Sequence, residues 1–508
     1  MPKNRGIIHS TILVTMITFL IKFLGLVKQS VLAAVCGANA ETDAFFVGSG
    51  VIVSLCIVIF SAISISLLSV HTDVLLKEGR EKSNDLINAV LRVFIPISIA
   101  ITLIFFAFST PIGKLLAPSY EGEQLQLLSH YIQVMSSAFI LWCYYLTINV
   151  VLETDKVFTP GKMQGLFQNV FLIIAAVLLY PKYGVRVLLY AFLLSGLAQC
   201  ILVTWCARKQ FKFVFHKINA GPQIKHLIAL SVPLIIGSAI YEINDIVDKQ
   251  ISTGLGSGNV SYLTYGATIN EMVTGVIVAS VSTVLFAHFA TWISEGRTDQ
   301  VEKNLENCIE YLTVLIMPIM AMCLAAGDQI VRILYGRGNF GLDDVNMTYG
   351  VVIGYALGFV FQAARANIVK VFYAFQDTKK PMINGAIAVG TNIVLSILLS
   401  KIIGVSGVAA ATSIAMLLVT VLLTKDVKKY LPGLSLRRCI RECAKGAIAG
   451  AIVTVIVWII HETVSWNLYI KFITEGIICV ALYVVLMYLL KSKCIKGITG
   501  KVVGLIKR

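Results

Sequence analysis

The sequence has 508 residues, 57% of them apolar and only 14% charged, with 42 Lys and Arg against 27 Asp and Glu, a net charge of +15 and a mean hydropathy of +0.84. Soluble domains run at about 45–50% apolar and about 25% charged residues. A water-soluble fold, a disordered chain and a disulfide-rich secreted module are therefore excluded.

Apolar runs of about 20 residues, the length that crosses a hydrocarbon core as a helix, recur along the whole chain. In chain order they fall at 11–35, 44–69, 87–108, 128–152, 163–179, 185–205, 227–251, 262–289, 309–326, 349–373, 382–399, 405–423, 447–460 and 473–490. The expected fold is an all-α polytopic membrane protein with about 14 transmembrane helices. The runs are too long and too uniformly apolar for a transmembrane β-barrel. With the N-terminus inside, 29 Lys and Arg fall in inside segments and seven in outside segments. That bias places both termini in the cytoplasm. The basic tail at 491–508 reads as an inside anchor with a short amphipathic segment. No cleavable signal peptide is evident, because the first apolar stretch continues through Lys22 into a long helix.

Enzyme chemistry finds little footing. Outside loops are short, and Walker A, HExxH and GxSxG motifs are missing. The 11 cysteines are scattered, and Cys439 and Cys443 form no CxxC pair. They read as small packing residues, and neither a catalytic residue nor a structural metal is expected.

An internal repeat organises the spans. Val177-Leu-Leu-Tyr-Pro-Lys-Tyr-Gly-Val185 aligns with Ile397-Leu-Leu-Ser-Lys-Ile-Ile-Gly-Val405 at a shift of 220 residues, and Pro160 matches Pro381 within one residue. An even number of spans separates the copies, so both halves share one orientation. Parallel halves of this kind are a transporter architecture. The expected division is a six-helix lobe at 1–215, a second at 216–430, and two additional helices with the basic tail at 431–508, the substrate path running between the lobes.

Ionisable groups inside a membrane need a partner or water. Lys22 and Lys28 lie in the first span, about 9 Å apart along the helix and about 120° around it. They suit an anionic ligand such as a phosphate or pyrophosphate, or an internal ion pair with acids of the seventh span. That span carries Glu242, Asp245 and Lys249 on one face and Asp248 on another. These acids could balance the lysines, bind Na⁺ or carry a proton. Glu271 adds an acid in the eighth span, and Arg92, Arg365 and Lys370 are further cations within or beside spans. Asn392 and Ser396 share one face of the eleventh span, and Val408 and Thr412 one face of the twelfth. Alone these polar residues read as helix–helix contacts. Asp43 opens the second span, where capping or the macrodipole favours an acid.

Leu24-Gly-Leu-Val-Lys28, Cys36-Gly37 and Thr42-Asp-Ala-Phe-Phe46 together resemble the opening signature of the MurJ/MviN family. Tyr335-Gly-Arg-Gly-Asn-Phe340 and Phe372-Tyr-Ala-Phe-Gln-Asp-Thr-Lys-Lys-Pro381 look like two further family signatures. Gly256-Ser-Gly-Asn-Val-Ser-Tyr-Leu-Thr-Tyr265 is similar to the family's turn into the eighth helix. The family belongs to the multidrug/oligosaccharidyl-lipid/polysaccharide exporter superfamily. The resemblance implies two six-helix lobes, with two extra helices forming a lipid-facing groove. It also implies flipping of lipid II, the undecaprenyl-pyrophosphate-linked peptidoglycan precursor, from the inner to the outer leaflet of the bacterial cell membrane by alternating access. Lys22, Lys28, Asp43 and Glu271 map onto the family's substrate-binding positions. A Na⁺ site would fall on Asp248, Asn392, Ser396, Val408 and Thr412, so the coupling implied is to Na⁺ or protons, with no cofactor. The implied partners are the lipid-linked glycan, membrane lipids and wall-synthesis enzymes, with no nucleic acid. Cys56 and Thr268 stand near positions where the family has arginines. The alternatives carried forward are a flippase for capsule, teichoic-acid or exopolysaccharide units, a cation-coupled drug antiporter, and a non-transporting scaffold for wall synthesis.

Overall fold

A computed structural model describes residues 3–214, 218, 220–275, 288–492 and 494–495. The described residues form helices and connecting turns, with no strand among them. Part of the eighth expected span, 276–287, and most of the expected amphipathic tail, 496–508, lie outside the described residues.

Among the described residues eleven helical stretches are long and apolar enough to cross a membrane, and a twelfth forms if the pair Leu342–Ala356 and Phe359–Ala374, bent by 43°, is one span. The count falls below fourteen partly because the second and third expected spans share one helical run, Ala40–Ala107. The polar stretch between them is interrupted at Gly79, whose backbone is non-helical with a φ of 86° that a side chain would disfavour.

Contacts divide the chain into two compact units, Met1–Ser261 with Gly338–Phe340, and Tyr262–Arg337 with Gly341–Arg508. The first unit contains α1 (Lys3–Cys36), α2 (Ala40–Cys56), α3 (Ala62–Ala107), α4 (Ser109–Leu116), α5 (Gly122–Met135), α6 (Ala138–Thr154), α7 (Thr159–Ile174), α8 (Tyr180–Tyr183), α9 (Arg186–Ala207) and α10 (Gly221–Thr253). Single π-helical turns, Ile57–Ser61 and Ala175–Leu179, join α2 to α3 and α7 to α8. Helix α1 packs on α7, α3 on α6, and α7 on α9. Because α10 packs along α3 and α2, it clusters with the first unit, whereas the sequence reading divides the chain at 215.

Helix α11 (Asn259–Val273) begins where the first unit ends. The second unit continues with α12 (Thr298–Tyr335), α13 (Leu342–Ala356), α14 (Phe359–Ala374), α15 (Lys379–Ile403), α16 (Val405–Val427), α17 (Leu436–Thr463) and α18 (Leu468–Leu489). Helices α15 and α16 pack along each other, and α17 and α18 pack on α12. Their polar end is pinned by Arg438, whose guanidinium lies 2.9 Å from Glu310 and 3.5 Å from Glu306.

The backbone carries the repeat more sharply than the side chains do. Lys156 and Gln376, 220 positions apart, both adopt positive φ, 64° and 61°. Around them Val157 N–H donates to Leu152 O at 2.8 Å, and Asp377 N–H to Phe372 O at 2.9 Å. Both sets are the left-handed C-terminal cap that closes a helix. Gly184 and Gly404, again 220 apart, turn the chain at φ 67° and 62°. Helices α7 and α15 start at residues 159 and 379.

Candidate substrate and ion sites

Helix α1 is held against α7 through its backbone. The Asn169 side-chain amide donates to Ile21 O at 3.0 Å. Gly165 leaves room for Ile21, since a Cβ there would come within 2.7 Å of the isoleucine. Lys22 follows Ile21 on the exposed side of α1, and Lys28, nearly two turns on, is half-buried. An ammonium on a membrane helix requires a polar partner, water or a headgroup beside it.

Asp43 is placed differently from a free ligand. Asn39 caps α2, its side chain accepting from Glu41 N at 3.0 Å and Thr42 N at 3.1 Å, so Asp43 is spared that duty. Its carboxylate is fully buried and accepts from Gly258 N at 2.6 Å, Ser261 N at 2.8 Å and Ser261 Oγ at 2.6 Å. It ties α2 to the turn that precedes α11. A second brace closes α1. Gly37 ends the helix at φ 72°, leaving carbonyls to be satisfied. Asn339 supplies the donors, N–H to Ala34 O at 2.8 Å and Nδ2 to Val35 O at 2.6 Å. Gly338, at φ 63°, lets that loop close on Ala34. Three of the signature segments therefore meet within the first unit as structural braces.

On α10 the internal ion pair forms within one helix. Lys249 Nζ lies 2.7 Å from Asp245 Oδ2, and Gly50 of α2 leaves space for the lysine, whose Nζ would be 2.5 Å from a Cβ there. Asp248 is buried and accepts from Asn244 Nδ2 at 3.1 Å, while Glu242 is half-buried.

In the second unit four of the five expected ion-site residues come together. Asn392 Nδ2 donates to Thr412 Oγ1 at 3.0 Å, Ser396 Oγ to Asn392 Oδ1 at 3.4 Å, and Thr412 Oγ1 to Val408 O at 3.4 Å. The fifth, Asp248, belongs to the first unit. Glu271 is exposed near the end of α11, and Arg365 is half-buried on α14. Cys56 is fully buried and Thr268 donates to Thr264 O at 2.9 Å, so neither position replaces the family cation with another charge. Among the described residues no group of three or more His, Cys, Asp and Glu is placed to hold a metal.

The sequence reading passed over Glu475, an acid inside the fourteenth apolar run, and His461 at the end of the thirteenth. Scoring every acid in a span as costly, rather than weighing mainly the cations, would have found Glu475.

Comparison with known proteins places these features. A family model described as lipid II flippase MurJ matches residues 32–478. A probable lipid II flippase MurJ of Treponema pallidum is 24% identical over 445 residues, covering 84% of this chain and 83% of that protein. The protein so named in Vibrio cholerae is 24% identical over 444 residues, with the same coverage. A solved structure of lipid II flippase MurJ in an inward closed conformation aligns with TM-score 0.81 and 23% identity, over 94% of this chain and 98% of that one. An inward-facing multidrug resistance MATE transporter of the MOP superfamily shares the fold at TM-score 0.70 and 12% identity, over 82% of this chain and 95% of its own. The family model covers the signature segments from Cys36-Gly37 to Pro381, and the chain belongs to the MurJ family.

Proposed function

We propose that this chain flips lipid II from the inner to the outer leaflet of the bacterial cell membrane for peptidoglycan synthesis. The observation that carries the reading is the family match along 32–478. Two lysines on a membrane-crossing helix support it chemically, because a pyrophosphate headgroup needs cations where hydrocarbon offers none. In this reading Lys22 and Lys28 draw the diphosphate into a water-filled path while the prenyl tail stays in lipid. Lysine keeps the charge of an arginine without its bidentate fork, so headgroup contact is electrostatic more than directional. Glu271 is the acid that the family resemblance adds to these lysines as a substrate-binding position. Asp43 acts through the fold, by holding α2 to the turn before α11.

Both termini lie in the cytoplasm on the charge bias of the loops. Alternating access moves the headgroup, and Na⁺ held by Asp248, Asn392, Ser396, Val408 and Thr412, or the membrane potential, biases the cycle. Moving one charge across 100 mV is worth roughly 2.3 kcal/mol. Wall-synthesis enzymes are the partners that would consume the flipped product. The test is the double variant Lys22→Ala and Lys28→Ala, reconstituted with labelled lipid II. Loss of flipping in a folded protein is expected, and undiminished flipping would remove the lysines from the mechanism.

A further inference from the structure

Three titratable side chains given no role above meet where α17 and α18 pack on α12. Helix α12 supplies Asp328 and Gln329, α17 supplies His461, and α18 supplies Glu475. His461 Nε2 lies 3.3 Å from Asp328 Oδ2, and its Nδ1 lies 3.4 Å from Glu475 Oε2 and 2.8 Å from Gln329 Nε2. The Gln329 amide also donates to Glu475 Oε2 at 2.9 Å. Glu475 is 1% exposed and Gln329 2%, yet Glu475 Oε1 and Gln329 Oε1 have no hydrogen-bond partner among the described residues. Lys471 of α18 gives its ammonium to His461 O at 2.5 Å. The other polar groups nearby are exposed Glu462 on α17, Arg332 one turn along α12, and Tyr349 of α13, whose hydroxyl donates to Leu324 O at 2.8 Å.

With a neutral imidazole, Nδ1 accepts from Gln329 and Nε2–H serves Asp328. Two acidic side chains then flank one uncharged ring, and two buried oxygens keep no partner among the described residues, a costly arrangement. One added proton changes the balance. Protonated at both nitrogens, the ring donates at both ends. A half-turn of the Gln329 amide then offers its orphaned oxygen to Nδ1–H, and the charged ring, with Nδ1 3.4 Å from Glu475 Oε2, takes over from the amide as that oxygen's donor. The proton arrives from hydronium by way of partly exposed Asp328 and leaves water behind.

We propose that Asp328, His461 and Glu475, bridged by Gln329, form a proton-binding site that fastens the α17–α18 pair to α12. The site stands whatever lipid the protein carries. Only its sidedness rests on the proposed topology, in which α12 and α17 both run outward and the proton comes from the outer medium.

The test uses the full-length protein in lipid nanodiscs between pH 8 and pH 5, the range that brackets the ordinary histidine titration. Hydrogen exchange of the α18 backbone, corrected for its intrinsic pH dependence, is expected to slow as the pH falls, by up to about tenfold per pH unit, the limit set by uptake of one proton. His461→Gln and Glu475→Gln keep a hydrogen-bonding side chain and are each expected to flatten that slope. The wild-type slope persisting in both variants would overturn the site. Infrared difference spectra of the wild type supply a readout that needs no variant: imidazole or carboxyl proton uptake in this range is expected, and a featureless spectrum would overturn the site.

Discussion

The sharpest structural prediction concerns Asp43. Its carboxylate is fully buried and takes three donors, the Gly258 and Ser261 amides and the Ser261 hydroxyl. Asp43→Ala removes every acceptor. The hydroxyl can rotate to a new partner, but the two amides are fixed by their backbone. An orphaned buried donor costs about 1–3 kcal/mol, so the two together cost about 2–6 kcal/mol. Asp43→Asn keeps one oxygen for Ser261 but turns an N–H₂ group toward the Gly258 N–H, orphaning one donor at about 1–3 kcal/mol. Ser261→Ala deletes one hydrogen bond to a charged group, worth about 1.5–3 kcal/mol. Thermal and denaturant unfolding of the full-length protein in nanodiscs should rank Asp43→Ala as the least stable of the three. Flipping per folded molecule should survive in Asp43→Asn. Wild-type stability together with lost flipping in Asp43→Asn would refute the reasoning and place the carboxylate in contact with the headgroup.

Other perturbations test separate parts of the structure. Gly338→Ala adds a Cβ to a residue at φ 63° and drives it against Ala34, so a loss of at least about 1–3 kcal/mol is expected in the same unfolding assays. Outside the spans, partial burial pushes the Asp377 carboxyl up, but the Tyr430 hydroxyl and the Lys380 and Lys379 amides outweigh it and hold the group below its ordinary value. A depressed carboxylate stabilises the fold above its unfolded value, about pH 4, and that contribution fades as the pH falls through the lower folded value. Asp377→Asn should therefore lower stability at pH 7 and weaken the acid-side slope of a melting-temperature profile, and an unchanged slope would contradict the assignment. Asp248→Ala and Asn392→Ala should each abolish any Na⁺ stimulation of flipping, and stimulation that persists in both would remove the ion site.

What sequence could reveal follows from the range of the interaction. Apolar length and loop charge are local signals, and they located the helices and the repeat at 220, which Gly184 and Gly404 then mark in the backbone. The polar segment between the second and third spans marks a break in the sequence, and the helix is interrupted within it at Gly79. Asp43 read as a cap because its partners lie more than 200 residues along the chain, whereas Asn39, three residues from the end of α1, performs the capping. The acids of the seventh span appeared as candidates for balancing Lys22 and Lys28, yet one of them, Asp245, finds Lys249 a single turn away. The Asp328–His461–Glu475 cluster joins three helices, and no spacing along one chain announces it.

The central claim is movement of a diphosphate-bearing lipid between leaflets. Its most direct measurement reconstitutes the purified protein in vesicles with labelled lipid II and follows the label's accessibility in each leaflet over time. Protein-dependent transfer, abolished by the paired lysine variant and absent from empty vesicles, is the predicted result. A folded, correctly inserted protein that leaves lipid II in its starting leaflet would contradict the account.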